Sequence, residues 1–166
     1  LFYNIVLTKK YLTDDIFVHK GYWDHLTKHN LHLTICEIIK NLLIKFPDFT
    51  ISVSGHSLGS ISVLFSYILI KNIPSLNNKI SVNIFGAPSM CNKQMFKFLK
   101  SKGVTISSFM YKNDFVQFLF PGYDEYYPKY ILHDDFYYYV TSKCDGAIGS
   151  HKKSFGENYL EDHSTK

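Results

Sequence analysis

Apolar and polar positions change rhythm several times along the chain, and each change predicts an element. Residues 1–7 are apolar but for Asn4 and read as a strand or as the end of a loop; residues 8–15 are polar. From about Asp24 to Phe46 the pattern is helical, with Leu31, Ile35, Ile38, Ile39, Leu42 and Phe46 at three- and four-residue steps forming one apolar face. Pro47 and Asp48 end that helix. Residues 49–53 predict a short buried strand. Residues 60–70 predict a helix that is apolar nearly all round, and so buried against a sheet and a second layer. Residues 72–78, with Pro74, predict a loop, and residues 80–85 a second strand. Residues 91–100 predict a short helix stopped by Gly103, and residues 104–111 a third strand. Beyond Phe115 the texture changes: Pro121, Gly122 and Pro128 interrupt a run crowded with aromatic residues. There residues 131–140 predict a strand and residues 144–157 a loop.

Strand, helix, strand, helix, strand argues for an α/β protein with a mostly parallel central sheet and helices on its faces. In such sheets a site lies at the carboxyl ends of the strands. The first strand runs into Gly55-His56-Ser57-Leu58-Gly59, and the chain leaves as a helix. This is the context of a nucleophile elbow, a turn tight enough to lift one hydroxyl above the sheet edge. Side chains at Gly55 and Gly59 are expected to strike the neighbouring strand or helix, so Ser57 is the candidate nucleophile.

A serine hydroxyl is a weak nucleophile at neutral pH. It needs a histidine to take its proton and a carboxylate to orient that histidine. The order expected after an elbow is serine, then acid, then histidine. Asp114 directly follows the third strand and is the first choice for the acid, ahead of Asp124, Asp134 and Asp135. Of the histidines after it, order favours His163 over His133, and His151 lies in a polar loop. His19, His25, His29 and His32 precede the serine and are assigned to packing or helix surface; His56 is given a structural role.

Composition narrows the partners. At 166 residues, with 46% apolar and 19% charged, the chain is expected to form one globular domain. All 18 basic residues are lysine, scattered, and the net charge is only +4, so a nucleic-acid surface is not indicated. Cys36, Cys91 and Cys144 are odd in number and widely spaced, which signals neither a zinc site nor a disulfide framework; no metal or other cofactor is expected. The longest apolar run, residues 61–70, is too short to span a bilayer.

These residues together resemble the class 3 lipases, the family of fungal triacylglycerol lipases. The motifs that carry the resemblance occur in order: Val18-His19-Lys20-Gly21-Tyr22, Gly55-His56-Ser57-Leu58-Gly59, Phe85-Gly86-Ala87-Pro88, Asn113-Asp114-Phe115-Val116 and Asp162-His163-Ser164. The resemblance implies an α/β-hydrolase fold with a triad of Ser57, Asp114 and His163, and one oxyanion N–H from Leu58. It implies hydrolysis of lipid carboxylic esters through an acyl-enzyme, without a metal, at a lipid–water interface. A secreted or lipid-surface location follows from the resemblance alone. The family's Arg-Gly-Ser/Thr strand, which supplies the second oxyanion donor and leads into the lid, has no match here and is expected upstream of Leu1. Ser60 and Ile61 stand where the family carries Gly and Ala. The alternatives are an inactive lipase-like module that binds lipid or protein, and a phospholipase A1 or small-ester esterase.

Overall fold

The computed structural model describes residues 8–111, 114, 116, 120–124, 126, 129–132, 136–140 and 151–154. The expectations for residues 1–7, His133, Cys144 and His163 lie outside them. The polar stretch 8–15 is not wholly irregular. Strand β1 (Lys9–Tyr11) pairs antiparallel with β2 (Phe17–His19). Thr13 Oγ1 accepts from the Ile16 N–H at 3.0 Å, which closes the loop between them.

The helix expected over residues 24–46 is two helices, α1 (Lys20–Thr27) and α2 (Leu31–Lys45). Between them His29 (φ 64°) and Asn30 (φ 56°) adopt left-handed backbone, which no α-helical ladder can cross. The six periodic apolar residues start at Leu31, so the rhythm covered α2 alone. The buried stripe also differs from the expected one. His32, Cys36 and Ile39 face inward, whereas Leu31, Ile38, Leu42 and Phe46 are exposed. Helix α2 carries apolar residues on more than one stripe, and packing against α3 selects among them.

Strand β3 (Ile51–His56) is followed by a 3-10 turn, Ser57–Ser60, and by helix α3 (Ile61–Asn72). Val63, Leu64, Ile68, Leu69 and Ile70 are all buried, so α3 is the centre of the helical layer, as its all-round apolar sequence predicts. Strand β4 (Ile80–Phe85) buries Ile80, Val82 and Ile84 and leaves the alternate positions more open, the period-two pattern of a half-covered strand. Helix α4 (Lys93–Ser101) begins at Asn92, whose side chain accepts from Met95 N–H and donates to Asp15 O at 2.6 Å. It therefore ties the start of α4 to the β1–β2 loop. At its other end Gly103 has φ +70°, and a Cβ there would lie 1.8 Å from Asn78 Oδ1. Strand β5 (Thr105–Tyr111) follows.

The main sheet has the order β3-β4-β5-β6-β7-β8. The pairs from β3 through β6 (Lys129–Leu132) are parallel. The single strand expected over residues 131–140 is instead two. Strand β7 (Phe136–Val140) returns antiparallel to β6, and the polar run His133-Asp134-Asp135 separates the two apolar stretches in the sequence. The loop expected over residues 144–157 contains strand β8 (His151–Ser154), antiparallel on β7. An open edge recruits such a segment through backbone hydrogen bonds, whatever its hydropathy. Among the described residues no helix is long and apolar enough to cross a membrane.

Cys36 and Cys91 are both free and buried. Burial pushes the Cys91 thiol well above its ordinary range, with Asp124 adding to the shift. The reactive thiolate is therefore suppressed. Native protein at pH 8 is expected to leave both thiols unmodified by a disulfide reagent until denaturant opens the fold; rapid modification of Cys91 in native buffer would contradict this burial.

Candidate active site

The elbow is built as its sequence predicts. His56 is extended (φ −110°, ψ 138°), and Ser57 then reverses to φ +53°. A non-glycine residue in this region carries strain of about 1–2 kcal/mol, and such strain collects at functional sites. The turn closes when Ile61 N–H donates to Leu58 O and Gly59 O. Leu58 lies in the first turn of a helical run, where N–H groups lack partners further back in the helix.

The two glycines of the motif are not equivalent. A Cβ on Gly55 would sit 1.7 Å from Gly59 O and 2.2 Å from Gly59 C. A Cβ on Gly59 would meet nothing within 4 Å. The expected clash is thus confined to Gly55, because the turn folds the Gly59 backbone down onto Gly55 and leaves the outer side of Gly59 open.

Ser57 and Asp114 lie at the same carboxyl edge of the parallel strands. His56 is in register with Phe85, and Phe85 with Phe109, so the ends of β3 and β4 are level and β5 runs two residues further, to Tyr111. Two strand spacings, about 10 Å, separate β3 from β5. Asp114 begins to return across that gap: its N–H donates to Tyr111 O at 3.1 Å, and its Oδ1 accepts from Val116 N–H at 3.0 Å. This turn pins one carboxylate oxygen. The other, Oδ2, lies over Gly86, 2.8 Å from where a Cβ would stand. Gly86 follows β4, has φ +51°, and donates its N–H to Phe109 O at 2.8 Å. Its missing side chain makes the seat for the carboxylate.

His56 Nε2 is 3.6 Å from the same Cβ position, so the His56 ring and the Asp114 carboxylate converge over Gly86. Sequence reasoning gave His56 only a structural role and did not place it here. The cue was the parallel register of β3 and β4. Asp124, a weaker choice for the acid, accepts through Oδ2 from Lys93 N–H at 2.8 Å, at the start of α4. His19 is a packing residue, fully buried among the rings of Tyr22, Phe120 and Tyr123 at 4.9–5.5 Å. His151 opens β8 rather than a loop. Beside the elbow a cavity of about 280 Å³ is lined by Tyr22, His25, Leu58, Gly59 and Ile61. Burial pushes the Tyr22 hydroxyl up to about 12. Among the described residues no group of three or more His, Cys, Asp or Glu could hold a metal ion.

Solved structures share this arrangement of strands and helices. The lipase of Rhizopus microsporus var. chinensis superposes with a TM-score of 0.67 at 22% identity, over 78% of this chain and 46% of that one. Lipase II of Rhizopus niveus gives 0.67 at 21%, over 79% and 51%. A triacylglycerol lipase described as having a serine-protease triad as its catalytic centre gives 0.69 at 20%, over 77% and 50%. These likenesses establish the α/β-hydrolase fold, and the chain spans about half the length of the lipases it matches. No curated protein matches the sequence. The class 3 lipase family model matches residues 2–123, a span that contains the elbow serine, the Gly86 seat and Asp114. A strained serine between parallel strand and helix, with an aspartate from beyond the second strand over held above the glycine that ends the first, is therefore met on a chain that belongs to the class 3 lipase family.

Proposed function

We propose that the protein is a serine hydrolase of lipid carboxylic esters, with Ser57 as nucleophile, His163 as base, Asp114 as the orienting acid and Leu58 N–H as an oxyanion donor. The observation that carries this reading is Ser57 held at φ +53° on a parallel sheet edge that it shares with Asp114. Ser57 Oγ attacks the ester carbonyl carbon while its proton passes to the His163 imidazole. Asp114 stabilises the imidazolium so formed. The carbonyl oxygen becomes an oxyanion that accepts from Leu58 N–H, a contact worth about 10²–10³ in rate per donor. Collapse breaks the ester C–O bond, and the alcohol leaves with the proton from His163. Water then attacks the acyl-Ser57 while His163 takes its proton; collapse breaks the acyl–Oγ bond, His163 returns the proton to Ser57 Oγ, and the carboxylic acid is released. No step calls for a metal or an organic cofactor. The substrate partner is a lipid ester presented at a lipid–water interface.

The full-length protein should be labelled by a fluorophosphonate and should hydrolyse short-chain p-nitrophenyl esters. His163→Ala is expected to abolish both; full turnover in that variant would remove the base from this scheme and turnover independent of Ser57 would remove the scheme itself. Binding of lipid with no turnover in the full-length protein would favour the inactive module instead.

Gly86→Ala probes the seat of the acid. Its Cβ would come within 2.8 Å of Asp114 Oδ2 at a φ that disfavours alanine. Overpacking and strain together are expected to cost about 2 kcal/mol. Displacing the carboxylate by about an ångström should lower kcat about 10²-fold with KM little changed. Unchanged kcat in a folded Gly86→Ala protein would separate Asp114 from the chemistry.

A further inference from the structure

At the far end of α3, between that helix, α4 and the β1–β2 loop, lies a cavity of about 560 Å³. Lys71 lines it from α3, about 15 Å along the helix from Ile61 and so well away from the elbow. Gln94, Lys97, Phe98 and Ser101 line it from α4 at three- and four-residue steps, one face of that helix. The loop wall is pinned in place: Thr13 Oγ1 accepts from Ile16 N–H at 3.0 Å, and Asn92 donates to Asp15 O at 2.6 Å.

The polar groups of this cavity are not spent on one another. Lys71 and Lys97 form no ion pair or hydrogen bond among the described residues. Asp15 Oδ1 accepts from the Thr13 hydroxyl at 2.8 Å, which leaves Oδ2 open. Tyr67, on the cavity floor, is only 5% exposed, with its ring against those of Trp23 and Phe98. Its hydroxyl has no hydrogen-bond partner among the described residues, and it is not sealed from solvent as the Ser62 hydroxyl is. Burial, and after it the Asp15 carboxylate, push that hydroxyl up, which puts it on the Asp15 side of the cavity.

We propose that this cavity binds a phosphate ester of a polyol, its phosphate between Lys71 and Lys97 and its hydroxyls on Asp15 and Tyr67. Two ammonium point charges on neighbouring helices suit a tetrahedral phosphate, whose oxygens point several ways; a planar carboxylate is matched by the fork of arginine, which this chain lacks. Asp15 repels the phosphate from its own end and accepts from a hydroxyl there, so the two ends of the ligand are told apart. The Phe98 ring gives the C–H face of the polyol an apolar wall. At about 30 Å³ per water-sized group, the space holds the roughly sixteen non-hydrogen atoms of inositol 1-phosphate. The same chemistry is offered by a free phosphate ester and by the headgroup of an anionic phospholipid. Nothing in this binding depends on Ser57.

The test is a calorimetric titration of the full-length protein with inositol 1-phosphate at low ionic strength. One ester per chain is expected, with Kd on the order of 0.1 mM. Lys71→Gln and Lys97→Gln should each weaken it about tenfold, and Tyr67→Phe, which keeps the ring contacts, about fivefold. Lys100→Gln makes the same change of charge on α4 outside the cavity and should bind as wild type. Equal losses in all three lysine variants would mean diffuse charge attraction and overturn the proposal. Inorganic phosphate binding as tightly as the ester would mean an adventitious ion only and overturn it too. So would no binding at all, the result expected if another segment of the protein fills this space. Labelling Ser57 with a fluorophosphonate should leave the affinity unchanged; loss of binding on labelling would place the ester in the catalytic groove instead. Phosphatidylcholine vesicles with and without phosphatidylinositol separate the two sources. Sedimentation that needs phosphatidylinositol and is lost in Lys97→Gln assigns the headgroup, and tight binding of the soluble ester alone assigns the free phosphate.

Discussion

Ser57→Ala is expected to lower ester hydrolysis by the full-length protein about 10⁶-fold, to the residue left by substrate binding and the oxyanion donor. The same variant should lose all fluorophosphonate labelling. The reason is chemical and local: of the hydroxyl residues on the Ser57–Ser60 turn, Ser57 is the one at positive φ, with backbone N–H groups of a helical start behind it. The fold should survive, because alanine brings the same Cβ to the same backbone, and thermal melting of the variant checks this. Ser57→Gly should be equally inactive and at least as stable as Ser57→Ala, since glycine adopts φ +53° without steric cost. Undiminished labelling of Ser57→Ala would locate the reactive serine elsewhere and end the proposed mechanism.

Gly55→Ala is expected to destabilise the protein by about 3 kcal/mol or more, beyond ordinary overpacking. The added carbon would overlap Gly59 O and C at 1.7 and 2.2 Å. Both are backbone atoms, so no rotamer change relieves the contact. Only opening the turn does, and that moves Ser57. Activity should fall with stability. Gly59→Ala is the informative control: its Cβ meets nothing within 4 Å, and Gly59 is not among the positive-φ glycines. It is expected to be neutral or stabilising by about 0.4–1 kcal/mol. Urea midpoints for the two variants would settle the asymmetry; equal losses would mean that the turn relaxes differently from the geometry described.

The local chemistry was legible in the sequence because it is written in contiguous residues. Gly55-His56-Ser57-Leu58-Gly59, between an apolar strand and an apolar helix, reads as a tight strand-to-helix turn, and alternating strands and helices imply parallel order. These two facts place Ser57 and Asp114 on one edge before any coordinates are considered. The all-round apolar sequence of α3 likewise announced the centre of the core, and Leu64 and Leu69 are fully buried. Breaks in the backbone were not legible. His29 and Asn30 split a helix through left-handed φ that no hydropathy pattern records, and β8 exists because β7 offers an edge.

What only the tertiary structure decided is which groups from different strands and helices share a space. Gly86 seats the Asp114 carboxylate, and His56 reaches the same point, because β3 and β4 end level and the chain turns after β5. Of the motif's two glycines, the folded turn makes Gly55 the one that cannot carry a side chain. His32 and Ser62 come to lie beside one cavity because α2 and α3 pack beside β3. The sequence by itself determines residue order and local turn chemistry, which depend on bonded neighbours. Packing decides contacts between residues far apart in the chain, because those depend on where every other element comes to rest.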